Sequence, residues 1–171
     1  MRAFAAGGYL LREARLEIRL VYTGFLLLVL VGMMTTVAFQ LRSIGPTPSR
    51  IAAYYRGGTV GADMTFPKTF RQLIEVTHFH SFIMGVIYLV LAHLFVATPV
   101  RPAWKQGLIV LAFAGLAGDL LSPWLICYLS GAFVYLQIVA WAAEWIGFGA
   151  FIVVPLGEMW LSNGRSEFPP E

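Results

Sequence analysis

All three histidines of this chain fall within one apolar stretch. His78 and His80 stand in Thr77-His78-Phe79-His80, and His93 follows fifteen residues after His78. An imidazole kept in a membrane helix is costly and usually has a partner, a metal or a proton to carry. Neutral imidazole is also the commonest protein ligand for transition metals. Carboxylates and one amide occur at spacings that would put them near these rings: Glu75, Asp119, Glu144 and Gln137. His78 and His80 with Glu75 and Asp119 offer nitrogen and oxygen ligands to copper, zinc or iron. Met84 offers a soft thioether one turn beyond His80.

These groups sit in long uncharged runs. Residues 20–41, 76–100, 106–118, 120–143 and 145–157 contain no Asp, Glu, Lys or Arg. The chain of 171 residues is 58% hydrophobic and only 12% charged, against about a quarter charged in soluble domains. Apolar runs of about 20 residues span a bilayer as helices. Their continuity excludes the alternation of a transmembrane barrel. The fold expected is all-α: a polytopic, four-transmembrane-helix bundle forming one domain over residues 1–171. The spans are expected at 20–41, 77–98, 105–122 and 131–157. Residues 1–19 read as an amphipathic surface helix or an extension of the first span. The first apolar run is longer than a signal-peptide core, so it is expected to stay as an anchor. Gly45-Pro46-Thr47-Pro48 ends that span, and residues 42–71 form an aromatic extramembrane loop. Pro123 is expected to end or kink the third span.

With the N-terminus inside, seven basic residues face the cytoplasm and five lie in the outer loop. The positive-inside rule then places both termini in the cytoplasm of a bacterial inner membrane. The one cysteine, Cys127, rules out an intrachain disulfide, and no Cys-x-x-Cys-His is present for covalent haem attachment. No Ser-His-Asp, Walker or nucleic-acid motif occurs, so neither an independent enzyme nor a nucleic-acid partner is expected.

On a helical wheel, Glu75, His78, Phe82, Leu89 and His93 share one face of the second span, and His80, Met84 and Tyr88 share the opposite one. On a regular helix His78 and His80 point about 160° apart, so they chelate one ion only where the helix has not yet begun. Gln137, Glu144, Phe151 and Glu158 recur every seven residues as a stripe on the fourth span. Depth suggests two layers: Glu75, His78 and His80 with Asp119, and His93 with Glu144. Ala114 with Gly118, and Ala143 with Gly147, have the four-residue spacing of close-packed membrane helices.

The spacing of His78 and His93 resembles the ligand spacing of b-type cytochromes, which stack two haems in a four-helix membrane bundle. The resemblance covers the second span alone, since no other span carries histidine. It implies a b-type haem bound by His78, His80 or His93, with Met84, Met33, Met34 or a histidine of another copy completing the site. The Thr-His-x-His segment is also similar to small bacterial membrane proteins of no known activity.

The expectation is an integral membrane component of a redox system, holding haem or another metal. Its partners would be the lipid bilayer, membrane or periplasmic redox proteins and a second copy of the chain. A proton or quinone site remains open, with His93 and Glu144 as relay and Trp141, Trp145 and Phe148 flanking a ring. So does a non-catalytic accessory subunit without cofactor, in which the histidines serve as helix-packing partners.

Overall fold

Four long helices account for most of the chain in the computed structural model, which describes residues 10–60 and 63–161. They are α1 (Leu16–Phe39), α3 (Phe70–Val96), α4 (Pro102–Tyr128) and α5 (Val134–Trp160). Each is long and apolar enough to cross a membrane, and the α1 span runs on through Gln40–Ile44 as a widened turn. Between α1 and α3 lie a short helix, α2 (Pro48–Arg56), and an antiparallel hairpin, β1 (Gly57–Val60) with β2 (Asp63–Pro67).

Most spans outrun the expected boundaries, while the second starts earlier, at Phe70, and stops two residues short, at Val96. Residues 1–9 of the proposed surface helix lie outside the described residues. Leu11–Glu13 make a single 3₁₀ turn, and α1 begins at Leu16, so Glu17 and Arg19 belong to the first span. Pro123 does not end α4; the helix continues to Tyr128. Proline removes one backbone hydrogen bond. Leaving the helix inside lipid would strand several more.

Local chemistry explains the starts and stops. Thr47 caps α2 and Pro48 occupies its first turn, where a missing N–H costs nothing. Gly45 (φ 92) and Gly57 (φ 75) adopt left-handed backbone at the two sharp reversals. A Cβ on Gly57 would lie 2.6 Å from Pro67 Cδ, so the hairpin closes against bare backbone. Thr69 starts α3 with a capping box: its hydroxyl accepts from the Gln72 amide at 3.3 Å, and Gln72 Oε1 accepts from the Thr69 amide at 2.9 Å. Thr69→Ala is expected to cost about 1 kcal/mol. Thermal melts in detergent check this against Thr35→Ala, whose hydroxyl bonds only its own helix.

The tightest seam joins α4 and α5. A Cβ on Gly115 would lie 2.9 Å from the Glu144 nitrogen, and one on Gly147 2.5 Å from Ala112 Cβ. Gly118 takes part as expected, 3.0 Å from Ala140 Cβ by the same measure. Ala114 does not: it is exposed, and Ala112 and Gly115 make the close approach. Tyr88, Phe95 and Phe148 pack the centre of the bundle. Ile44, Ile51, Ile126 and Val134 form a second cluster that seats α2 on the ends of α4 and α5. Arg56 Nη1 donates to the Ile126 carbonyl at 3.2 Å and reinforces that seating. By contrast α1 is loosely held, with Leu26 its one buried side chain. At the opposite end, Arg19 donates to the carbonyls of Ala14 (2.9 Å), Met159 (3.0 Å) and Arg12.

Candidate functional site

The interior polar groups are gathered where α4 and α5 meet. Gln137 is fully buried and bridges two partners. Its Nε2 donates to Asp119 Oδ1 at 2.5 Å, and its Oε1 accepts from Ser122 Oγ at 2.7 Å. Trp141 Nε1 also donates to Asp119 Oδ1, at 2.9 Å. Both donors thus fall on one carboxylate oxygen, while Asp119 borders an open cavity. Deeper in the bundle, Tyr88 Oη donates to Glu144 Oε1 at 3.3 Å.

Two cavities adjoin this network. The first, of about 420 Å³, lies at the loop end under α2, with Tyr55, Lys68, Gln72, His80 and Asp119 on its wall. The second, of about 370 Å³, lies at mid-span between α1, α3 and α5, with Met33, Met84, Glu144, Trp145 and Phe148 on its wall. Thr36 of α1 and Gln40, at the start of the widened turn, line both. Burial, and next the charge of Asp119, push the Tyr55 phenol well above its ordinary range, so this ring stays neutral at the cavity roof.

The helical wheel of α3 groups its residues correctly, and the face that turns into the bundle is the one that carries Tyr88. Phe82 and Leu89 are 69% and 55% exposed, and His78 and His93 are exposed on the same outward side. Tyr88 is 1% exposed and faces the core. Met84 lies on that side and lines the second cavity, while His80, itself exposed, borders the first.

The first expected layer is therefore formed in part. Asp119, His80 and Glu75 border one cavity, whereas His78 leans on Phe79 and Phe82. The second layer is not formed: Glu144 pairs with Tyr88, and His93 Nδ1 bonds the Leu89 carbonyl at 2.8 Å. The reason is rotation, since matched depth puts two residues at one level without turning them towards each other. Glu75 itself holds Arg71 Nε at 2.8 Å. Among the described residues, no three or more His, Cys, Asp or Glu side chains gather closely enough to hold a metal ion.

The α5 stripe behaves as expected. Gln137 and Phe151 are buried, Glu144 is half-buried, and Glu158 is 8% exposed with Arg12 Nε 3.9 Å away. Sequence reasoning missed Ser122, Thr36, Gln40 and Lys68, and it left Tyr88 without a role. Tyr88 was within reach, because it lies on the His80 face; the others carry no signal in spacing.

An all-helical bundle with four lipid-crossing spans and an internal carboxylate network defines a polytopic membrane domain. The chain belongs to a family described as a transmembrane helical domain, whose model matches residues 45–166 and so begins just after the first span. No curated protein and no solved structure matches the chain.

Proposed function

We propose that this domain is a membrane subunit of an electron-transfer assembly, holding a b-type haem or a metal ion through the histidines of α3, with the remaining ligands supplied by a second chain. The observation that supports this most is the state of the rings. The Nδ1 atoms of His80 and His93 lie 3.1 Å and 2.8 Å from the carbonyls of Val76 and Leu89. A carbonyl only accepts, so Nδ1 is the donor in each contact, which in a neutral ring leaves Nε2 its lone pair. Metal-ligating histidines use this arrangement, the backbone fixing tautomer and ring direction. His78 and His93 project outward, where a partner or cofactor would cover them. A bacterial inner-membrane placement completes the reading, and its orientation with both termini cytoplasmic rests on the seven-to-five distribution of basic residues.

A visible spectrum of protein purified in mild detergent, oxidised and then dithionite-reduced, tests this together with metal analysis. A Soret band with a reduced α-band, or a stoichiometric metal, is expected. At least one of His78→Phe, His80→Phe and His93→Phe should lose it while still inserting. A wild type with neither haem nor metal sinks the reading.

The second reading is an accessory subunit without cofactor. It is favoured by the internal pairing of polar groups: Asp119 with Gln137 and Trp141, Glu144 with Tyr88, and Trp124 Nε1 with Thr77 Oγ1 at 2.8 Å. Such bonds are modest helix-to-helix contacts in a membrane.

A further inference from the structure

We propose that the crevice formed by the two cavities binds one neutral-headed membrane amphiphile of the quinone class, its ring at the loop end and its chain running to mid-span along α1. This stands independently of histidine ligation. Thr36 and Gln40 border both cavities, so the two adjoin along the first span, and the proposal takes them as one crevice.

The crevice changes character along its length. Its loop end combines hydrogen-bonding groups, Gln72, His80 and Asp119, with the aromatic faces of Trp141 and Tyr54. Its mid-span end is walled chiefly by Phe25, Val29, Met33, Met84 and Ile87. Leu28, also on that wall, is 74% exposed, so the crevice opens sideways to where lipid lies. A polar end near the membrane surface and an apolar end at its centre fit a molecule that already resides in the bilayer. Small-molecule sites have this composition, an apolar wall with a few polar groups that fix orientation.

Charge selects the head. The loop-end wall carries two carboxylates, Asp119 and Glu75, against Lys68 and the imidazole of His80. Lys68 Nζ already sits 4.0 Å above the Tyr54 ring, and Glu75 already holds Arg71. A phosphate head would meet the Asp119 carboxylate with one engaged cation to offset it. An uncharged ring with two carbonyl oxygens can instead accept from the side-chain amide of Gln72 and lie against the flanking aromatics. A quinone also quenches tryptophan fluorescence on contact, and Trp141 and Trp145 lie on the wall.

The test uses full-length protein in mild detergent, titrated with a benzoquinone bearing a ten-carbon chain. Saturable quenching at one quinone per chain is expected. Gly32 lines the mid-span end, and a Cβ there meets nothing within 4 Å, so Gly32→Phe fills the crevice without touching backbone. That variant should bind at least ten-fold more weakly, and Asp119→Asn should alter the affinity too. Gly149 has the same open surroundings and lines neither cavity, so Gly149→Phe should bind as the wild type does. Elution as a single monodisperse species shows that the variants are folded. Quenching that never saturates, or that is unchanged in both Gly32→Phe and Asp119→Asn, overturns the proposal. So does native mass spectrometry in which a phospholipid is retained and the quinone does not displace it.

Discussion

Gly147→Leu should leave little folded bundle in mild detergent, with a loss of more than about 3 kcal/mol. The reason is the α4–α5 seam. A bare Cβ at residue 147 would lie 2.5 Å from Ala112 Cβ and 3.0 Å from Ala112 Cα. Real carbon atoms do not approach so closely, and Ala112, itself fully buried, has nowhere to go. Overpacking a tight core costs about 1–3 kcal/mol for a few added methylenes. A leucine here must push two whole helices apart, so Gly147→Ala should fall near the lower end of that range and leucine beyond it. Helix separation in lipid is not resisted by hydrophobicity, since lipid tails are as apolar as the side chains. The seam depends on close contact, and opening it also disturbs Glu144 and its bond from Tyr88 one turn away. Melting curves followed by tryptophan fluorescence and size exclusion check this against Gly149→Leu, whose Cβ meets nothing within 4 Å. Equal melting of the two variants would disprove the seam argument.

Gln137→Leu should destabilise the protein by about 2 kcal/mol. The amide is fully buried and serves two partners at once, Asp119 through nitrogen and Ser122 through oxygen. Leucine has similar bulk, so packing changes little and polar loss dominates. Asp119 keeps only its bond from Trp141, and the buried Ser122 hydroxyl loses its acceptor. An unsatisfied buried group costs about 1–3 kcal/mol, more when charged. Membrane surroundings reduce this because the separated helices find other partners. The groups act as a unit, so effects should not add. Ser122→Ala placed on top of Gln137→Leu should cost less than Ser122→Ala alone, with a coupling of at least about 0.5 kcal/mol. A double-mutant cycle by thermal unfolding measures it, and strict additivity would mean that the network is not one unit.

Several elements could be read from residue order with little loss. The uncharged runs marked four spans because a bilayer tolerates little else, and each expected span became one helix. The seven-residue recurrence from Gln137 to Glu158 marked the inward stripe of α5 for the same geometric reason. The wheel of α3 separated His78 and His93 from His80 and Met84 correctly. The layer of His93 with Glu144 required the face of His78 and His93 to turn inward, whereas Tyr88 and Phe95 are the residues that do so. In a membrane protein the large aromatic side chains are the better guide to the packed face, since they fill the bundle. Pro123 misled for a related reason: proline stops helices in water, but inside lipid the helix is the less costly state.

The amino-acid sequence by itself determined that this protein is an all-helical, four-span membrane domain with its histidines on one span. Composition, run length and periodicity are properties of order along the chain, and they suffice for that. Tertiary structure alone decided which polar groups meet. Asp119 finds Gln137 and Trp141 rather than His78, and Glu144 finds Tyr88 rather than His93, because contact depends on the rotation of each helix about its axis. For α4 and α5 that rotation brings backbone closest at Gly115 and Gly147. The crevice beside α1 is equally a product of packing: α1 buries one side chain and leaves a gap that no local pattern encodes.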